Sequence, residues 1–159
     1  MAYNNTGMRF REKMMLSYLK SLNTMGKKDT RTIVSVVEIY NIPIYSLLMG
    51  IKYYELVFKR SRCNTYTKLL TAIYFGYRIN EDYHTNNKDW GYLTNTCSKL
   101  IVKYETHMLK KLNYNMKVTN QSLEHLFERI LNFGRNNDCL SILSPVSPTG
   151  SVNESLCLL

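Results

Sequence analysis

Residues 66–77 carry the strongest helical signal in this 159-residue chain and constrain its fold more than any other segment. Their apolar side chains recur at i, i+3, i+4, i+7, i+8 and i+11, so they share one face of an α-helix. These residues are Tyr66, Leu69, Leu70, Ile73, Tyr74 and Tyr77. Gly76 lies near the end of the segment, where glycine weakens a helix unless close packing requires a missing side chain. Because other elements must cover so wide an apolar face, the segment predicts a helical core.

Helical spacing of apolar residues continues through most of the remaining chain. It marks segments at residues 14–22, 31–41, 46–59, 90–93, 101–112 and 123–131. Segment 31–41 is rich in β-branched residues and would also suit a strand. Segment 46–59 is apolar around most of its circumference, which is typical of a helix in the middle of a bundle. No credible sheet accompanies these segments, and we predict an all-α fold.

Breaks in this pattern divide the chain into three parts. Gly26 and the two lysines after it interrupt the pattern, so residues 1–30 are predicted to form an N-terminal helix and a basic arm. Residues 31–134 form the main helical unit, which Gly134 is expected to end. Residues 135–159 contain two prolines and many serines, and we expect a disordered or loosely attached tail. A chain of 159 residues leaves little room for a second domain.

The chain is strongly basic, with 21 lysines and arginines against 12 acidic residues and a net charge of +9. Such a surplus suggests an anionic partner, such as nucleic acid, anionic lipid or an acidic protein. However, no predicted helix carries a stripe of lysines and arginines interleaved with asparagine or glutamine. Nucleic-acid binding is therefore the less favoured interpretation, and we interpret the surplus as an accessory surface for protein or acidic-substrate contacts.

No arrangement of residues that would support catalysis or bind a metal is visible in the sequence. The four cysteines are far apart and, together with three histidines, form no zinc-binding spacing. Glu105 and His107 are two positions apart on a predicted helix and point in different directions, which argues against an acid–base pair. The sequence therefore predicts no enzyme activity, no metal and no cofactor.

The expected location is the nucleus, the cytoplasm or both. The first residues lack an apolar signal segment. The most apolar stretch, residues 42–58, contains Lys52 and Glu55 and is too short to span a bilayer. We therefore expect a protein without a membrane anchor.

Residues 65–118 contain an ordered series of short motifs. The series runs through Leu70-Thr71-Ala72, Arg78, Glu81-Asp82, Asn87-Lys88-Asp89-Trp90, Glu105, Leu109, Leu112 and Tyr114. It resembles the cyclin box, in particular that of the single-box phosphate-regulon and P/U-type cyclins. Upstream, Tyr53-Tyr54-Glu55 is similar to a further segment of the family, so the resemblance extends over about residues 31–133.

This resemblance implies both a fold and a function. The fold would be a single cyclin-box five-helix bundle over residues 31–134, without the second repeat of classical cyclins. The protein would be a regulatory subunit that docks on the C-helix of a cyclin-dependent protein kinase and thereby activates the kinase. The residues expected at the kinase interface are Arg78, Ile79, Glu81, Glu105, Leu109, Tyr114 and Met116.

Arg78 and Glu105 are expected at the centre of this interface. If their two helices pack side by side, the guanidinium and the carboxylate could meet as a bidentate ion pair. In the cyclin family the equivalent pair, usually lysine and glutamate, hydrogen-bonds the backbone of the kinase C-helix. Trp90, in contrast, is expected to pack in the core.

Several positions depart from the family pattern and leave two alternatives open. Arg78 replaces the usual lysine, Glu55 the usual aspartate, and Leu56 the arginine that follows it. A degenerate cyclin-like protein that binds a kinase without activating it would tolerate these changes. General transcription factors also use cyclin-like folds, so a basic nucleic-acid or transcription-scaffold module is the second alternative.

Overall fold

Seven α-helices build the part of the chain that the structure describes. This part comprises residues 5–22, 24–61, 63–81 and 85–136 of a computed structural model, with side chains from Phe10 onward. The helices are α1 (Asn5–Leu22), α2 (Lys27–Ile39), α3 (Ile44–Phe58), α4 (Thr65–Asn80), α5 (Asn87–Thr94), α6 (Ser98–Lys111) and α7 (Asn120–Asn136). No strand occurs among these residues, so the predicted all-α fold is confirmed for them.

Most of segment 31–41, whose sequence also suited a strand, is helical and belongs to α2. Its β-branched residues Ile33, Val34, Val36 and Val37 are all buried. Their weak preference for strands is outweighed because one helical face carries them all into the core. The helix begins at Lys27 instead of residue 31, directly after Gly26, whose backbone is extended (φ −70°, ψ 156°).

Helices α3 and α4 lie at the centre and pack against each other more extensively than any other pair of described helices. The prediction of a central helix within residues 46–59 is confirmed, and α4 shares this position because its residues are buried on nearly all sides. A Cβ atom built on Gly76 would lie only 2.6 Å from the backbone nitrogen of Gly50. Gly76 is therefore required by close helix packing, as its place in the sequence suggested.

Helix α1 is part of the same core and packs mainly on α7 and α2. Met14 and Met15 are fully buried, and the Ser17 hydroxyl donates a buried hydrogen bond of 3.0 Å to the carbonyl oxygen of Ile130 on α7. Arg11 donates to the carbonyl oxygen of Ile42 at 3.1 Å, between α2 and α3. At least this cation of the predicted basic arm therefore binds the protein's own backbone.

The short helix α5 completes the core beside α4. Trp90 is fully buried and stacks on Tyr74 with ring centroids 4.6 Å apart and an interplanar angle of 21°. The Trp90 ring also contacts that of Tyr40, with ring centroids 5.1 Å apart. The core position expected for Trp90 is confirmed. Asn86 caps the helix, since its side chain accepts hydrogen bonds of 2.9 Å from the backbone N–H groups of Lys88 and Asp89.

The end of α7 and the number of helices after α1 both differ from the prediction. Helix α7 continues to Asn136, so the expectation that Gly134 ends it is wrong; Gly134 is buried within the last turn. Six described helices follow α1, one more than the five-helix bundle that the resemblance implies. Residues 137–159, which make up most of the predicted tail, lie outside the described residues.

Candidate partner-binding site

The last turn of α4 and the middle of α6 meet through one ion pair at the surface. Arg78 Nη1 lies 3.0 Å from Glu105 Oε1, although 27 positions separate the two residues in the chain. The side chain of Arg78 is 39 % exposed and that of Glu105 12 % exposed. The predicted encounter of these residues is confirmed. The predicted bidentate geometry is wrong, because a single nitrogen and a single oxygen form the contact.

Asn87, the first residue of α5, holds the arginine in place. Its Oδ1 lies 3.3 Å from Arg78 Nη1 and 2.9 Å from the hydroxyl oxygen of Tyr74. The Tyr74 hydroxyl also lies 2.5 Å from the carbonyl oxygen of Thr85, and the Arg78 guanidinium sits 5.2 Å from the centroid of the Tyr74 ring. Two polar contacts and one cation–π contact therefore hold the guanidinium between α4, α5 and α6, and two further hydrogen bonds hold the Tyr74 hydroxyl beside it.

Burial is the largest influence on the pKa of the Glu105 carboxyl. Loss of solvent raises the pKa of its carboxyl above the ordinary glutamate value, and the attraction of Arg78 and the hydrogen bonds from Arg78 and Asn87 offset this rise only in part. The ionised carboxylate is thus held at a net free-energy cost to the folded state. Burial likewise raises the pKa of the Tyr74 hydroxyl to about 12, which keeps it a neutral donor.

The four apolar residues predicted at the interface differ in their exposure to solvent and in their contacts. Ile79 is 40 % exposed at the end of α4, and Tyr114 is 66 % exposed after α6. Leu109 lies one turn beyond Glu105 and is half-buried against the core. Its carbonyl oxygen accepts a 2.9 Å hydrogen bond from the backbone N–H of Tyr114. Met116 is half-buried, and its carbonyl oxygen accepts a 2.7 Å hydrogen bond from the Tyr53 hydroxyl.

Glu81 does not join the ion pair between Arg78 and Glu105. Its Oε1 accepts a 3.0 Å hydrogen bond from the hydroxyl of Ser46, which is fully buried in the first turn of α3. The carboxylate is therefore committed to the contact between α3 and α4. Asp82, which follows Glu81 in the motif series, lies outside the described residues.

A second arginine–glutamate pair joins α7 to α3, away from the first. Arg129 donates to Glu55, the residue that stands where the family motif has aspartate. Sequence reasoning did not identify the partner of Glu55, because no local pattern links positions on α3 and α7. It also did not assign Asn87 to the Arg78 pair, although Asn87 stands within the motif Asn87-Lys88-Asp89-Trp90.

Two other kinds of site, a metal centre and a membrane-spanning helix, have no counterpart in the described residues. Within them, no group of three or more histidine, cysteine, aspartate or glutamate side chains could hold a metal ion. No helix in this part of the chain is both long and apolar enough to cross a membrane. His107 stacks on Phe58, with ring centroids 5.6 Å apart, and is separated from Glu105 as its helical position predicts.

No known family model matches the chain, and no curated protein or solved structure shows significant similarity to it.

Proposed function

We propose that this protein is a cyclin-like regulatory subunit that binds and activates a cyclin-dependent protein kinase by docking on the kinase C-helix. The proposal rests on the motif series over residues 65–118, which resembles the cyclin box. It is supported by the all-α fold and by the ion pair that Arg78 and Glu105 form at the surface.

The observation that carries the proposal is the ion pair itself. The resemblance requires two residues 27 positions apart to meet at the surface, and Arg78 and Glu105 do so at 3.0 Å. A pair that only joined two helices would need no further partner. The hydrogen bonds of Arg78 to Asn87 and Glu105 both use Nη1, so, as far as the described residues show, the partly exposed guanidinium has further N–H groups that can donate to a partner's carbonyl oxygens.

The four apolar residues that the resemblance implies would supply the remainder of the proposed interface. Ile79 and Tyr114 are exposed large side chains, and Leu109 and Met116 are half-buried next to the core. In protein interfaces a few buried apolar anchors around a hydrogen-bonded charge provide most of the binding energy. We therefore expect the kinase C-helix to lie across the end of α4 and the C-terminal half of α6.

The decisive experiment measures complex formation with a panel of purified cyclin-dependent kinase catalytic subunits. Arg78→Ala and Glu105→Ala should each weaken binding to the cognate kinase by about 2 kcal/mol or more. The matched control is Arg129→Ala, which removes the arginine–glutamate pair between α7 and α3 and should leave binding unchanged. If no kinase binds the wild-type chain, or if the double variant Arg78→Ala, Glu105→Ala binds as well as the wild type, the proposal is wrong.

Activation is a separate property that the same complex can test. Cyclin-like docking holds the C-helix inward, so that its glutamate can pair with the phosphate-binding lysine of the kinase. Phosphorylation of a peptide substrate by the kinase alone and by the complex should therefore differ by orders of magnitude. Binding without a gain in phosphorylation would instead identify the chain as a degenerate cyclin.

A further inference from the structure

A basic cleft of about 590 Å³ opens between the end of α3, the start of α4 and one face of α6. Its volume lies in the range of sites that bind small molecules or single side chains. Four of the residues that line it are Lys68, Lys103, His107 and Lys110, and none of its described lining residues is acidic. This cleft is distinct from the proposed kinase surface, because Glu105 and Leu109 lie on a different face of α6.

Lys68 forms the base of the cleft and is only 8 % exposed. Its Nζ donates hydrogen bonds to the Ser61 hydroxyl at 2.6 Å and to the Cys63 carbonyl oxygen at 2.7 Å. It also lies 5.7 Å and 5.6 Å from the ring centroids of Phe58 and Tyr104. All of these partners are neutral. Within the described part of the chain, the buried ammonium has no carboxylate to balance its charge.

A buried cation without an anionic partner is costly for the folded state. Neutral oxygens and aromatic rings reduce this cost, but they do not neutralise the charge. The ammonium of Lys68 therefore still attracts an anion that enters the cleft. The ammonium carries three N–H donors, of which two are used by Ser61 and Cys63. An anion that enters the cleft would supply both the missing charge and a third acceptor.

Helix α6 adds two lysines and a histidine along one wall of the cleft. Lys103, His107 and Lys110 stand at i, i+4 and i+7, so they share one face of the helix within about 10 Å along its axis. Lys103 and Lys110 are exposed and can turn towards the cleft. His107 is fixed, because its ring stacks on Phe58 at an interplanar angle of 20°.

We propose that this cleft binds a phosphate monoester, presented as a phosphoserine or phosphothreonine side chain of a protein partner. A phosphate monoester carries a charge of about −1.5 to −2 and three acceptor oxygens, which matches several converging amines better than a single carboxylate does. Because Lys68 is recessed, its partner must be a terminal group that can enter the cleft, as a phosphate can. Lys103, His107 and Lys110 extend over only about 10 Å of α6, which is enough for one such group.

Nucleic acid fits the same cleft less well. Single-stranded nucleic acids bind basic grooves by stacking bases on exposed aromatic rings. Here Phe58 is buried and covered by His107, and Tyr104 packs against Phe58 in a T-shaped arrangement with ring centroids 5.8 Å apart. Phe58 therefore offers no free face for a base, and Lys68 Nζ lies over one face of the Tyr104 ring. The phosphate group alone is therefore the feature that the cleft recognises.

The test is an NMR titration of the ¹⁵N-labelled full chain with three probes. They are the peptide acetyl-Gly-Ala-phosphoSer-Ala-Gly-amide, the same peptide with unmodified serine, and inorganic phosphate. We expect saturable shifts confined to the amides of residues 57–68 and 103–110 with the phosphopeptide. We expect none with the unmodified peptide. Inorganic phosphate should bind more weakly than the phosphopeptide; equal or tighter binding of the free ion overturns the assignment to a phosphorylated side chain.

Two double variants that each remove two positive charges test whether binding depends on the lysines of the cleft. Lys103→Gln, Lys110→Gln should weaken phosphopeptide binding by about tenfold or more, whereas Lys27→Gln, Lys28→Gln removes two exposed lysines of α2, a helix that does not line the cleft, and should not. Lys68→Met, which keeps an unbranched side chain of nearly the same length but removes the ammonium group, should abolish the shifts while the amide spectrum shows a folded protein. Equal losses in both double variants, or tighter cleft binding by a short single-stranded DNA, would refute the proposal. The outcome is independent of kinase binding.

Discussion

Gly50 on α3 and Gly76 on α4 stand opposite each other where the two central helices cross, with no side chain between their backbones. A Cβ atom on Gly50 would lie 2.5 Å from the Cα atom of Ile73, and one on Gly76 would lie 2.6 Å from the nitrogen of Gly50. Folded proteins do not accommodate such contacts without moving a backbone. The crossing therefore positions α4, whose last turn carries Arg78 to the surface.

Gly76→Ala should lower the free energy of unfolding by about 1–3 kcal/mol, even though alanine favours helix formation over glycine. The added methyl group meets backbone atoms of α3, which cannot move aside as a flexible side chain can. Chemical denaturation measures the change. Gly26→Ala is the control, because the nearest atom to its Cβ is 4.0 Å away, and it should cost less than about 1 kcal/mol.

Glu105→Gln should leave the thermal unfolding temperature at pH 7 unchanged or slightly raised. Burial raises the pKa of Glu105 despite its pairing with Arg78, so the ionised carboxylate opposes folding at neutral pH and its removal relieves that cost. Kinase binding should nevertheless weaken about tenfold, since the charge-assisted contact is lost. A marked fall in unfolding temperature would show that the pair serves stability instead.

Kinase binding should weaken as the pH falls towards the ordinary glutamate pKa of 4.5, and the decline should begin above that value. The sign follows from the raised pKa: the folded protein protonates Glu105 at a higher pH than an exposed glutamate would protonate. Neutral Glu105 no longer pairs with the Arg78 guanidinium. Affinities measured between pH 7.5 and pH 5 test this, and the Glu105→Gln variant should lack this component of the pH dependence.

Asn87→Ala should reduce both stability and kinase binding. It removes the acceptor shared by Arg78 and Tyr74, at a cost of about 1–2 kcal/mol in unfolding free energy. Asn86→Ala is a matched control, because loss of its cap on α5 costs about 1 kcal/mol without touching Arg78. The two variants should therefore have similar stability but different affinity for the kinase. Equal affinities would exclude a positioning role for Asn87.

Trp90 should serve as an intrinsic probe of unfolding. It is the single tryptophan of the chain and is fully buried, so its fluorescence emission should shift to longer wavelength when denaturant exposes it. Trp90→Ala should cost about 3–5 kcal/mol, because the cavity left beside Tyr74 and Tyr40 cannot close completely. Tyr92→Ala, an exposed aromatic residue on the same helix, should change stability by less than about 0.5 kcal/mol.

The helical segments could be predicted from the sequence because helical periodicity is a local property. The apolar residues within 66–77 recur at helical spacing whatever they pack against, and α4 includes the whole segment. The end of α7 could not be predicted in this way. Gly134 resembles a helix terminator in isolation, yet it lies buried within the last turn, where packing outweighs its low helix propensity.

The meeting of Arg78 and Glu105 was predicted from the sequence, but its geometry was not. The motif series placed Arg78 and Glu105 in one interface, and the two residues do meet. Their single contact, the role of Asn87 and the turn of Glu81 towards Ser46 depend on how α3, α4, α5 and α6 are rotated about their axes. A spacing along the chain carries no information about that rotation.

The sequence by itself determined that the chain is helical, that residues 66–77 belong to its core and that Trp90 is buried. Each of these follows from the order of apolar residues along the chain. Only the tertiary structure decided which charges are partnered. The row Lys103, His107 and Lys110 is visible in the sequence, but the buried Lys68 that deepens its cleft lies on another helix. Electrostatic environment depends on distances in space, and those exist only once the helices have packed.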